Sequence, residues 1–196
     1  GDYPYICTFP GHYQLMNGVM GVTQKANPIT NLSYKIYHGE WSKLPDFSEL
    51  KPKKTGTLAN GLFDITRSEI KNNFGFVFQG KINCINDGKY TFTLSSDDGS
   101  ILLINDKVVV DNDGIHGIET AKGSIKLNKG KHNIEVRYFE RGGGENLTVK
   151  WSGPGFNNKA LSKSLPKRGQ LVEGMLLEAP KGEAIIYRNF CPIFII

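Results

Sequence analysis

The sequence predicts an all-β protein built on an antiparallel sandwich or barrel, and three observations carry that prediction. Apolar residues alternate with polar ones in short runs, as in Tyr90-x-Phe92-x-Leu94 and Ile134-x-Val136-x-Tyr138, which is the two-residue period of a half-buried strand. Turn sequences separate the runs at Asp87-Gly88, Asn105-Asp106-Lys107 and Lys129-Gly130-Lys131. Glycine is in excess, with 23 in 196 residues, and no long amphipathic helical pattern interrupts the strands; residues 68–72 alone suit a helical turn.

The first element is an N-terminal strand and loop. Tyr3, Tyr5 and Cys7 alternate, Pro10-Gly11 forces a turn, and residues 18–22 resume an extended pattern. Cys7, His12 and Met16 therefore sit on one loop between strands. A thiolate, an imidazole and a thioether together form the ligand set of a type 1 copper site. The run Cys7-Thr8-Phe9-Pro10-Gly11-His12, with Met16 beyond it, closely resembles the C-terminal copper loop of azurin-like and plastocyanin-like cupredoxins. The resemblance implies that residues 1–22 are the last strand and loop of a blue-copper domain. It also implies a second His ligand from upstream strands, because His38, His116 and His132 belong to the later pattern. Copper is thus expected only where that missing ligand is supplied. Electron transfer to a redox partner is then the expected role of the full-length parent.

Residues 23–29 carry Gln, Lys, Asn and Pro without apolar period and read as a linker. Strand patterns follow. Leu32, Tyr34 and Ile36 alternate, an irregular segment holds Trp41 and Leu44-Pro45-Asp46-Phe47, and Phe74, Phe76 and Phe78 line one face of a long strand. Beyond Tyr90 come residues 101–104 and 108–110 as a hairpin, Ile125 and Leu127, then Ile134 to Tyr138, and finally Leu147, Val149 and Trp151 before Gly153-Pro154-Gly155. Both tryptophans are expected in the core.

The order of these pieces adds a second resemblance. Tyr34-x-x-Tyr37-x-Gly39-x-Trp41, Ser96-Asp97-Asp98-Gly99-Ser100, Ile104-Asn105, Asp111-Asn112-Asp113-Gly114 and Trp151-x-Gly153-Pro154-Gly155 occur together, and the stretch 30–166 resembles the protective-antigen (PA-14) β-sandwich family. The resemblance implies a carbohydrate-binding or adhesive module. It further implies a calcium site in which a cis link turns Asp97 and Asp98 toward one ion, with remaining ligands from the loop before the last core strand. Here that loop offers Glu140, Gly143, Gly144 and Asn146 as candidates, and a vicinal diol of a sugar would complete the shell.

The residues themselves argue the same way. Consecutive strand side chains point to opposite faces, so two adjacent aspartates share a cation only if the backbone bends. Oxygen ligands select a hard ion, and Ca²⁺ is the natural choice. Ser-Asp-Asp-Gly-Ser is also good turn sequence, and Asp111-Asn112-Asp113-Gly114 lacks the rest of an EF-hand and reads as a turn. Arg141 is unexpected beside a cation.

Composition excludes other classes. Three cysteines, Cys7, Cys84 and Cys191, cannot build a disulfide framework, and no apolar run is long enough for a membrane helix. No nucleophile elbow, zincin helix, P-loop or dinucleotide fingerprint is present, so no enzyme activity is expected. With 24 Lys and Arg against 19 Asp and Glu the chain is mildly basic, at +5. Its sequence clusters, Lys51, Lys53 and Lys54, and Lys163, Lys167 and Arg168, lack interleaved aromatics, so nucleic acid is not an expected partner. They read as solvated faces with weak attraction for acidic polysaccharide. Residues 167–196 read as a linker followed by a strand over 185–190, the opening of a further segment. The whole is expected to be a piece of a larger exported bacterial protein, periplasmic, cell-surface or secreted. The competing readings are a copper electron-transfer protein and a structural spacer without metal.

Overall fold

The computed structural model describes residues 28–162 throughout and, in the flanking stretches, the backbones of five further strands. The chain divides into two compact units. One combines Gly1–Ala26 with Leu165–Ile196. Its sheet has the order β13-β14-β15-β1-β2, from β1 (Asp2–Cys7), β2 (Asn17–Gly21), β13 (Leu177–Glu178), β14 (Ala184–Arg188) and β15 (Cys191–Ile195). Tyr5 lies opposite Gly18 of β2 on one side and Ile195 of β15 on the other. The two ends of the sequence therefore meet in one sheet.

The second unit, Asn27–Ser164, is the predicted antiparallel sandwich. Its six-stranded sheet runs β4-β3-β5-β10-β7-β8, from β3 (Ile29–His38), β4 (Lys54–Thr57), β5 (Phe74–Cys84), β7 (Ser100–Ile104), β8 (Lys107–Asn112) and β10 (Gly130–Glu140). Its four-stranded sheet runs β12-β11-β6-β9, from β6 (Gly88–Asp97), β9 (Glu119–Leu127), β11 (Asn146–Gly153) and β12 (Phe156–Ala160). Every strand pairing is antiparallel.

One core fills the space between the sheets. Phe74, Phe76 and Phe78 of β5 and Val136 and Tyr138 of β10 come from one side, and Tyr90, Phe92 and Leu94 of β6 and Trp151 of β11 from the other. Fully burying each such side chain contributes roughly 1.5–3 kcal/mol. The opposite face of the large sheet carries a smaller apolar cluster in which Tyr37, Phe47 and Val77 pack with Trp41, Leu44 and Leu50. The irregular segment after β3 is thus a cover over the outer face of β3 and β5. Both tryptophans pack in apolar clusters, as expected.

The turn predictions hold. Asn105 and Asp106 both adopt positive φ (49° and 64°), the conformation of the tightest hairpin connection. One local expectation fails: residues 68–72 are not helical, and single 3-10 turns lie instead at Phe47–Glu49 and Ile65–Arg67. The cause is capping. Asp46 and Asp64 each accept the backbone N–H two residues on, from Ser48 and Thr66, and so cap the turn that follows. Among the described residues no helix is long and apolar enough to cross a membrane.

Candidate metal centre

At one end of the sandwich the chain changes sheets twice, side by side. The first crossing leaves β6 of the small sheet and enters β7 of the large one with only Asp98 and Gly99 between them. The Asp97–Asp98 peptide is cis, as the family resemblance implied. Gly99 is dictated by space: a Cβ there would lie 2.4 Å from Phe139 Cε1 and 2.8 Å from the backbone N and O of Gly114. Beneath the turn the Ser96 and Ser100 hydroxyls bond at 2.6 Å, and Asn112 Nδ2 donates to Ser96 Oγ, so the buried hydroxyls are satisfied. The second crossing leaves β10 at Glu140 and returns to β11 at Asn146, which sits opposite Asp97 in the small sheet.

These two crossings bring Asp97, Asp98 and Glu140 together. One carboxylate oxygen from each lies within 4.8 Å of the others. Asp98 and Glu140 are buried, at 2 % and 0 % exposure. Asp98 is held by two backbone donors: the His116 N–H to Oδ1 (3.1 Å) and the Arg141 N–H to Oδ2 (2.9 Å). The Tyr138 hydroxyl, with one proton to give, lies 2.6 Å from the Asp97 carbonyl and 3.0 Å from Glu140 Oε2, so the two acceptors share it. The other Glu140 oxygen, Oε1, is buried without a hydrogen-bond partner among the described residues.

The remaining candidates divide. A Cβ at Gly144 would lie 3.6 Å from Asp97 Oδ2, so the loop passes against that carboxylate. Gly143, at φ +107°, has open space around it and forms the bend of the loop. Asn146 Oδ1 accepts from the Thr148 hydroxyl at 3.3 Å. Arg141 offers the cluster only its backbone. Its guanidinium turns away to Glu40 at 2.9 Å, which removes the objection that a cation-binding loop should not carry arginine. Asp111 and Asp113 accept the N–H groups of Asp113 and Leu44, so this run is a turn and loop tie, as read from sequence.

Two contributors had no sequence signal. Tyr138 is one apolar-alternating residue among several. His116 acts through its backbone N–H, which any residue type possesses. Its ring is also fixed, with Nδ1 2.8 Å from the Gly117 carbonyl and Nε2 3.0 Å from that of Asn112, an arrangement only the doubly protonated ring can satisfy as donor.

The electrostatics follow from the geometry. Burial pushes the Glu140 carboxyl up to about 7, and the charges of Asp98, Asp97 and Glu145 add to it against the opposing Tyr138 hydrogen bond. Asp97 is raised by burial and by Asp98. Burial, then Glu140, drives the Tyr138 phenol far above its ordinary range. His116 is raised: burial works against its charge, and the Gly117 and Asn112 carbonyls outweigh it. Among the described residues no ion pair neutralises the three carboxylates. A converging set of hard oxygen donors with one orphaned oxygen fits a divalent cation of the calcium type.

The family model for the PA14 domain matches residues 32–163. The chain belongs to the PA14 family. Solved structures with the same fold include the PA14 domain of the MpAFP antifreeze protein, 17 % identical over 73 % of this chain and 93 % of that one, with a TM-score of 0.56. The PA14 sugar-binding domain from an RTX adhesin is 16 % identical over 67 % of this chain and 94 % of its own, at 0.53. An anti-sigma factor domain-containing protein from Clostridium clariflavum is 22 % identical over 73 % of this chain, at 0.56, and the match spans half of that protein's length. No curated protein matches the chain. The PA14 match begins beyond the Cys7, His12 and Met16 motif; His12, Met16 and the Cys7 side chain lie outside the described residues.

Proposed function

We propose that this PA14 domain is a non-catalytic carbohydrate-binding module whose Asp97, Asp98 and Glu140 hold Ca²⁺. The observation that carries the reading is Glu140 Oε1, a buried carboxylate oxygen without a partner among the described residues, which shares its corner with two more carboxylates. Leaving such a group unpaired costs several kcal/mol, and a cation offsets that cost while drawing the three acids together. Three carboxylates fall short of the 6–8 oxygens that Ca²⁺ takes. Carbonyls of the 141–145 loop, whose glycines permit close approach, and two hydroxyls of a sugar would supply the balance. When bound, the ion would supply positive charge and open coordination positions to a vicinal diol.

The RTX adhesin domain, a structural neighbour, is described as sugar-binding, which supports the same use here. Glycoside hydrolysis is the poorer reading. Its carboxyl pair must flank a bound sugar from either side, whereas these three carboxylates converge on one point and two of the three residues are buried. An extracellular or cell-surface setting in a larger protein suits such a module.

Calorimetric titration of Ca²⁺ into the chelator-treated chain tests the proposal. One-site binding that Asp98→Ala abolishes, together with neutral-glycan array signals lost in chelator, is expected. Absence of calcium heats, with neutral-glycan signals indifferent to chelator, overturns the calcium-dependent reading, and absence of any glycan signal leaves a spacer. The Cys7, His12 and Met16 motif supports a separate reading of the N-terminal segment, copper electron transfer in a longer parent that supplies the second His. Its test is an intense thiolate-to-copper absorbance on adding Cu(II), and a flat spectrum from a parent containing the upstream strands removes it.

A further inference from the structure

We propose that the outer face of the β12-β11-β6-β9 sheet is a docking surface for an acidic polysaccharide. This inference does not rest on the cation site. In β6 the side chains of Tyr90, Phe92, Leu94 and Ser96 enter the core, so Lys89, Thr91, Thr93, Ser95 and Asp97 face outward. Their ladder partners share that face: Lys126, Ser124, Lys122 and Thr120 from β9, and Ser152, Lys150, Thr148 and Asn146 from β11. Three adjacent strands thus present four lysines on a bed of hydroxyls and amides. Asp97, at the far end, is their one outward acid.

The lysines are arranged, not scattered. Lys89 lies directly opposite Lys126, and Lys122 and Lys150 flank Thr93 from either side. None of the four is in an ion pair among the described residues. Like charges directly opposite in a ladder destabilise a sheet, and this sheet tolerates such a pair where any neutral residue would serve folding better. Four lysines on one face without ion pairs among the described residues leave a positive surface that an external anion would neutralise. The two pairs stand four residues apart along β6, about 13 Å, and Lys122 and Lys150 stand two strand spacings apart, about 10 Å.

The chemistry of the occupant follows from what surrounds the charges. A flat face lined by Thr and Ser offers donors and acceptors for sugar hydroxyls along an extended chain. It has no aromatic side chain on which an unpaired base could stack, and no helix or ribbon to enter a duplex groove. An extended glycan with carboxylates on alternate sugars matches both the spacing of charges and the hydroxyl bed between them. The lysines at 51, 53 and 54, close in sequence, are a weaker match, since Lys54 already pairs with Glu69 at 2.6 Å.

The test is binding of hyaluronan, whose alternate sugars carry a carboxylate, by the full chain in the presence of EDTA. Binding is expected to survive the chelator and to weaken about tenfold as salt rises from about 20 to about 150 mM, because the screening length falls below the spacing of the lysines. Combined Lys89→Ser and Lys126→Ser replacement should lower affinity about tenfold or more while raising the denaturation midpoint and sparing calcium binding. The matched control, Lys51→Ser with Lys53→Ser, should change affinity less than about twofold. Equal loss in the control, or tighter binding of a single-stranded oligonucleotide of the same charge, overturns the proposal. Failure of calcium binding in the unmodified chain would count against the Asp98 site and leave this face untouched.

Discussion

Replacing Glu140 by Gln isolates the energetic cost of the buried acid. In the unfolded chain this carboxyl ionises near its ordinary 4.5, whereas in the folded protein burial and its acidic neighbours hold it at about 7. Between these values the native state keeps a proton that the unfolded state has released, so stability falls as pH rises from about 4.5 to about 7 and falls no further beyond. The gap corresponds to about 3 kcal/mol, or roughly 10 °C in the melting midpoint of a domain this size. Asp97 is also raised by burial and the neighbouring Asp98, and its contribution runs in the same direction. His116 is raised too, so its stabilising charge is present at low pH and lost as pH rises through its folded value. The wild-type slope therefore sums at least three groups, and only the difference between wild type and Glu140→Gln reports position 140. Both tryptophans, Trp41 and Trp151, lie in the sandwich, so fluorescence-monitored denaturation of the full chain follows this unit. In EDTA, wild type should lose about 2.5 kcal/mol more than the variant from about pH 5 to about pH 8. Saturating Ca²⁺ should shrink that difference, because the ion favours the ionised form. Parallel pH curves for the two proteins in EDTA would refute the buried, unneutralised acid on which the metal site is argued.

Two further substitutions probe how the backbone builds the corner. Gly99→Ala drives a methyl into Phe139 at 2.4 Å and the Gly114 backbone at 2.8 Å; with Phe139 fully buried and unable to swing aside, a loss of about 1–3 kcal/mol or more is expected. A denaturation midpoint indistinguishable from wild type would show that the two sheet crossings are not packed as described. Arg141→Ala keeps the N–H that holds Asp98 and removes only a pair whose side chains are 45 % and 62 % exposed, so stability should change by less than about 1 kcal/mol. Its calcium affinity, read by titration, should stay within about threefold of wild type, and a far larger loss would place the guanidinium in the site.

What was legible in the sequence is what side-chain type alone can encode. The alternation of Tyr90, Phe92 and Leu94 and of Phe74, Phe76 and Phe78 marks core strands because a half-buried strand needs one apolar face. The same logic misses β4 and β12, whose residues Lys54–Thr57 and Phe156–Ala160 lie at sheet edges and are mostly exposed, so nothing forces an apolar period on them. It also leaves the segment around Trp41 and Phe47 unread, because the surface it covers, Tyr37 and Val77, is the polar-expected face of two core strands. At the site, Asp97 and Asp98 stand out since adjacent acids resist ordinary strand geometry. Glu140 was one oxygen donor among several in its loop, and only the two sheet crossings single it out by burying it against the pair. The donors that orient Asp98 are backbone N–H groups of His116 and Arg141, invisible to any reading of residue types. The lysine face carries the same lesson further. Lys89, Lys122, Lys126 and Lys150 are dispersed in sequence and become neighbours only through ladder register. Charge proposed for recognition is therefore better sought across strands than along them, and in this sandwich the cross-strand Lys89 and Lys126 pair is where that search leads.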